Sequence, residues 1–138
     1  MNGGKDVAAL VGRVMLALMF IISGFSKLGA FEDTTGYMAS AGLPAVDPLL
    51  EVLLILTILI ELGGGTAIVL GWRTRSAALL IFLFTVLVTL TFHRFWAMPP
   101  DEAMVQRLMF MKNMSVMGGL LVLFAFGPGK YARDDTTD

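Results

Sequence analysis

Four apolar stretches, Val7–Phe25, Leu49–Gly71, Ser76–Phe92 and Leu108–Phe126, account for most of this sequence and restrict what it can become. Each is long enough to cross a hydrocarbon layer of about 30 Å as a helix rising 1.5 Å per residue. A chain inside lipid has no water to satisfy its backbone, so an open sheet is excluded and the stretches are expected to be helical. With 138 residues, 57% of them hydrophobic and 15% charged, four spans and their connections use up the length. The expected fold class is therefore all-α: an integral membrane four-helix bundle in one domain, residues 1–138, with spans at about 7–25, 49–71, 76–92 and 103–126.

The flanking residues refine this picture. Pro99-Pro100-Asp101-Glu102 offers a proline stop, a capping residue at Asp101 and acidic charge for a first turn, so the fourth helix begins ahead of its apolar stretch. The first stretch follows Lys5 as a secretory signal would, but it contains Arg13 and reaches Lys27 without a small-residue cleavage pattern, so a retained helix is expected. In the long connection Ser26–Pro48, Phe31, Tyr37, Met38 and Ala41 recur at near-helical spacing behind Asp33 and Thr34, with Gly42-Leu43-Pro44 as a stop. A short helix lying at the membrane interface is expected there.

Lys5, Arg13, Arg73, Arg75, Lys130 and Arg133 fall on one side of these spans. Lys27, Arg94 and Arg107, accompanied by five carboxylates, fall on the other. The positive-inside rule places the first group, with both termini, in the cytoplasm.

The formal net charge of −1 suggests no nucleic-acid partner. The absence of cysteine excludes disulfides, thiol relays, iron–sulfur ligation and covalent haem attachment within this chain. One histidine, His93, is too few for a bis-histidine haem or a typical zinc site, so no metal is expected. The ten methionines show no clustered spacing and read as adaptable packing rather than a copper relay. Asn113-Met114-Ser115 has the form of a glycosylation sequon, which carries no information inside a span.

At 100° per residue, Arg13, Ala17, Phe20, Gly24 and Lys27 share a face of the first helix, and Thr57, Glu61, Gly64 and Gly65 share one on the second. Thr85, Thr89 and His93 line the third, and Lys112, Ser115 and Gly119 the fourth. Small and polar residues favour helix contact over lipid, so these stripes should point inward.

Glu61 lies about 15 Å from Gly71, near mid-membrane, where an unpaired carboxylate costs about 2.5–3.5 kcal/mol. Arg13 and Lys112, each ~6 Å away along the membrane normal, are the cations it is expected to bridge. Glu51 is expected to face Lys112 or His93, and Asn113 and Gln106 to join through amide hydrogen bonds. His93, Phe95 and Trp96 stand at the opposite mouth from Arg13, where aromatic belts are common.

The sequence resembles the DoxX family of small bacterial membrane proteins. The matching residues are Gly12-Arg13, Ser23-Gly24-Phe25-Ser26-Lys27, Gly42-Leu43-Pro44, Glu61-Leu62-Gly63-Gly64 with Gly71, and Thr74-Arg75-Ser76-Ala77-Ala78. They continue with His93-Arg94-Phe95-Trp96, Phe110-Met111-Lys112-Asn113, Gly118-Gly119-Leu120-Leu121 and Gly127-Pro128-Gly129. After Gly129 the family often has a serine before an aspartate, where this chain has Ala132-Arg133-Asp134. The resemblance implies a multi-pass protein of the bacterial inner membrane linked to redox metabolism. Similar proteins are small subunits of thiosulfate:quinone oxidoreductases or partners in oxidative-stress complexes.

Three readings of function remain at this stage. In the leading one the chain is a membrane subunit of a redox system that holds a quinone-like ligand. Lys112 and Asn113 donate to carbonyl oxygens, Glu61 or His93 relays protons, and Arg13, Glu51 and Trp96 complete the candidate set. Such a chain is a component of an oxidoreductase rather than a self-sufficient enzyme: it has no intrinsic cofactor, its quinone is bound from the bilayer, and its electrons come from a soluble or membrane partner. The second reading is a non-catalytic anchor or assembly factor with an architectural charge cluster. The third is a small transporter or proton path running from Glu51 to Arg13. Self-association is compatible with all three.

Overall fold

A computed structural model describes residues 3–134. Four helices in it are long and apolar enough to cross a membrane: α1 (Gly3–Gly29), α3 (Leu49–Leu70), α4 (Thr74–Phe92) and α5 (Pro100–Phe126). The short helix α2 (Phe31–Ser40) fills the connection between the first two spans. Among the described residues there is no strand.

The ends of the spans follow local chemistry. Pro100 occupies the first turn of α5, where its missing N–H costs nothing, so this helix begins three residues before the expected span. At the other end of the bundle Gly71 terminates α3 in a left-handed conformation (φ 67°), which a side chain would strain. Asp33 and Thr34, which the sequence offers as capping residues for α2, do not cap it. The helix starts at Phe31, and the Thr34 hydroxyl instead donates to the Ala30 carbonyl at 2.6 Å.

The core divides into two layers. The lower joins Ala17 and Phe20 of α1 to Ile68, Ala78 and Ile81 and to Leu120 of α5. The upper joins Met38 of α2 to Leu50, Leu54 and Ile58 of α3. Gly24 of α1 lies against Leu62 and Glu61, so α1 ends close to the middle of α3 rather than at its top. Helix α2 packs on the upper half of α3 beyond the end of α1, and Tyr37 stacks on Phe92 with centroids 5.7 Å apart.

Near its centre α3 departs from α-helical geometry. Residues Ile60–Gly64 form a π-helical turn with Glu61 in it. Such turns insert one extra residue into a helix and occur frequently at functional sites.

Three of the four expected inward stripes are found. Arg13, Ala17, Phe20 and Gly24 are buried on α1, Glu61, Gly64 and Gly65 on α3, and Thr85 and Thr89 on α4. On α5 the buried residues are Asn113, Leu120 and Leu123, whereas Lys112 and Ser115 are exposed. The inward face of this helix is thus turned by one residue, about 100°, from the expected stripe.

The start of α1 and the segment after α5 meet at one end of the bundle, where the Arg13 guanidinium donates to the carbonyls of Pro128 (2.9 Å), Val69 (3.3 Å) and Tyr131. His93 marks the other end.

Candidate functional site

Glu61 is 5% exposed, and its carboxylate is fully engaged. The Lys27 ammonium lies 3.0 Å from both carboxylate oxygens, and the Ser23 hydroxyl donates to Oε1 at 3.0 Å. Lys27 also donates to the Ser23 hydroxyl at 2.5 Å, closing a three-residue network. Ser23 and Lys27 are one helical turn apart, so α1 presents both on a single face to the π turn of α3.

The expected bridge from Glu61 to Arg13 and Lys112 is not formed. Arg13 is taken up by main-chain carbonyls at the far end, and among the described residues Lys112 has no carboxylate within ion-pair distance. Lys27 is the partner instead. Because α1 stops near the level of Glu61, its last turn brings a cation to mid-bundle. Counting residues on the assumption that every span ends at the same height places Lys27 outside the membrane.

A cavity of about 200 Å³ adjoins this pair. Its polar lining is Ser23 and Lys27 of α1, Glu61 of α3, Thr85 of α4 with His93 just beyond it, and Lys112 and Asn113 of α5. Phe20, Phe84 and Val88 supply apolar walls. A second lobe of about 190 Å³ shares Lys27, Glu61, Phe84 and His93 and extends under α2 to Thr34, Tyr37 and Phe92. Together the lobes reach the low end of the roughly 300–1,000 Å³ usual for small-molecule sites.

The remaining polar groups are braced individually. Asn113 is buried and donates from its amide nitrogen to the Thr89 hydroxyl at 2.9 Å. His93 Nδ1 lies 2.8 Å from Gln106 Oε1, which fixes the ring at the mouth of the chamber. Gln106 thus serves His93, while Asn113 reaches a threonine on α4.

Glu51 does not line either lobe, and its buried Oε2 finds no hydrogen-bond partner among the described residues. Trp96 is 59% exposed and packs edge-on against Phe95 and Phe110, beside the chamber rather than in its wall. Glu61, Lys112, Asn113 and His93 are therefore brought together, while Arg13, Glu51 and Trp96 stand apart. Buried Ala17 and Phe20 separate Arg13 from Glu61 along α1, which interrupts the polar path that a proton wire would follow.

The Arg13 end contains an element that residue spacing did not reveal. Asp134 accepts from the backbone N–H groups of Arg73 (2.6 Å) and Thr74 (2.7 Å), placing a carboxylate on the N-terminus of α4. Burial alone would raise this carboxyl, but hydrogen bonds from Thr74 and Arg73, with the charge of Arg13, hold it below the ordinary carboxylate range. The tail is thereby folded over the end of the bundle.

Residues 8–94 match the model of the family described as DoxX. The chain belongs to the DoxX family. Over 94% of its length this DoxX protein is 40% identical to the inner membrane protein YqjF of Escherichia coli K12, covering 92% of that protein. It is 35% identical to the inner membrane protein YphA of the same organism, over 96% of its own length and 92% of the relative's. A Surfeit locus protein 4 homolog of Drosophila melanogaster is 26% identical over 97% of this chain and 42% of its own. No solved structure matches. With four membrane-spanning helices and these relatives, this DoxX chain is a multi-pass inner-membrane protein.

Proposed function

We propose that this protein is the ligand-binding membrane component of a redox system, and that its ligand is quinone-like. The reading rests on one observation: a chamber among the spans combines an ion pair, an amide, an imidazole and a further ammonium with aromatic and aliphatic walls. A quinone headgroup presents two carbonyl oxygens on a flat apolar ring. Lys112 and the Asn113 amide are donors for the carbonyl oxygens, and His93 lines the same chamber as a proton relay. The Lys27–Glu61 pair is the nearest proton reservoir: a quinone becomes a quinol by taking up two electrons and two protons, and ammonium and carboxylate can exchange a proton with a neighbour. The electrons come from a partner, because this chain contributes no cysteine for a cluster or a covalent haem.

Quinone titration of the purified protein in nanodiscs tests this reading. Trp96 packs on Phe110 and Phe95 beside the chamber, and Trp72 lies beyond Gly71 at the opposite end. Trp96 fluorescence should be quenched saturably and that of Trp72 much less. Equal, non-saturating quenching of both would reveal only quinone dissolved in lipid.

A second reading, a purely architectural anchor, draws support from the same ion pair, since it ties α1 to α3. The two separate on Lys112, which forms no ion pair among the described residues. An architectural cluster predicts that Lys112→Met is silent, and a ligand chamber predicts lost quinone binding in a stable protein.

A further inference from the structure

Lys112 is the charge that the fold leaves without a counterpart. It stands four residues inside the apolar stretch that begins at Leu108, and it lines the chamber beside Asn113. An ammonium at that depth is costly unless something compensates it. Among the described residues no carboxylate lies within ion-pair distance of it. The ionisable groups lining the two lobes are Lys27 of α1, Tyr37 of α2, Glu61 of α3, His93 after α4 and Lys112 of α5. Glu61 is spent on Lys27 and Ser23, so that cluster is neutral as a unit. His93 adds positive charge or none. The described lining therefore carries an uncompensated positive charge on Lys112, beside the apolar surfaces of Met19, Phe20, Phe84 and Val88. Apolar walls weaken screening, which strengthens the pull of that charge on an anion.

We infer that the chamber selects its ligand in a singly anionic form, a quinone-like ring that bears an ionised hydroxyl. The inference rests on the ligand reading above and adds the ligand's charge. A neutral ring leaves Lys112 uncompensated. An ionised ring oxygen closes the balance and accepts a charge-assisted hydrogen bond, about twice as strong as a neutral one. Asn113 gives one amide N–H to Thr89 at 2.9 Å and has a second for an adjacent ring carbonyl, while Phe20 and Phe84 offer apolar contact to the ring. A fatty-acid carboxylate carries the same charge but brings no carbonyl for that amide. A doubly charged anion finds no second free cation in the described lining, because Lys27 is already bound to Glu61.

The test uses the full chain in nanodiscs of a zwitterionic lipid and three probes. They are 2-methyl-1,4-naphthoquinone, which is neutral, 2-hydroxy-1,4-naphthoquinone, which is an anion at neutral pH, and decanoate, which carries the charge without a ring. Lys112→Gln removes the charge and keeps an N–H donor, whereas Lys112→Arg keeps both. Lys112→Gln should weaken the hydroxy probe by about tenfold, the scale of one charged hydrogen bond, and leave the methyl probe within experimental error. Lys112→Arg should hold the hydroxy probe close to wild type. Decanoate should compete about tenfold more weakly than the hydroxy probe, since it lacks the carbonyl and ring contacts.

Unchanged affinity of Lys112→Gln for the hydroxy probe, or equal loss of both ring probes, would overturn the charge assignment and leave the chamber reading standing. So would a Lys112→Arg protein as weak as Lys112→Gln, or a wild type that binds the methyl probe alone. Decanoate competing as strongly as the hydroxy probe would overturn the assignment of a ring. Failure of the wild type to bind either ring probe would remove the chamber reading, and this inference with it.

Discussion

Glu61 is neutralised by a cation from the same mid-bundle level, and its cost in the membrane depends on that partner. Breaking such a pair leaves one charge uncompensated. Lys27→Met and Glu61→Gln should each lower thermal stability in nanodiscs by roughly 1–3 kcal/mol, and the double variant should lose clearly less than the sum. Additive losses would mean that the two side chains do not support one another. Asp134 makes a separate contribution at the other end. Asp134→Ala should cost about 1 kcal/mol, as for removal of a helix cap. Because the folded state holds this carboxyl below its ordinary value, its contribution is complete above the unfolded carboxylate range and disappears as pH falls through the lower, folded value. The acid limb of the stability profile should therefore be shallower in Asp134→Asn than in wild type. Glu61 and Asn113 were legible as candidates because each is a polar group in an apolar stretch, and His93 because it directly follows one. Lys27 and Asp134 were not, because their roles depend on where α1 ends and where the tail returns, and neither is encoded in spacing along one helix.

The π turn of α3 is the element that aims Glu61. It brings Gly64 against Ile81 of α4, where a Cβ would lie 2.7 Å from Cδ1, while Gly63 next to it faces open space. Gly63→Ala should be neutral or stabilise by a few tenths to about 1 kcal/mol through helix propensity. Gly64→Leu should destabilise by about 1–3 kcal/mol through overpacking. The reverse order in thermal unfolding would place the helix in another register. All four spans were legible from hydropathy, since length and apolarity suffice for them. The face of α5 was not: Lys112, Ser115 and Gly119 form a good small and polar stripe, yet Asn113 and Leu120 are the buried residues. Lys112 belongs to the chamber's rim, so a charged side chain at a lip mimicked an inward position. Nor was the π turn legible, because Gly63-Gly64-Gly65 beside Glu61 marks a weak point in a helix without saying what form the departure takes.

At the scale of the molecule, four crossings and a tail that returns to Arg13 give the protein one closed end and one end covered by α2. The cysteine-free sequence makes the topology directly testable. A cysteine at Val46 should react with a membrane-impermeant maleimide added to intact cells, and one at Lys130 only after permeabilisation; the opposite pattern would invert the expected orientation. The same asymmetry puts the chamber in the half of the bundle near His93. Mass spectrometry of the quinone that co-purifies with the protein, compared between wild type and Lys112→Met at matched thermal stability, bears most directly on the account. Stoichiometric quinone in wild type, falling to background in the variant, is the predicted result. Equal amounts in both, or none in either, would contradict it.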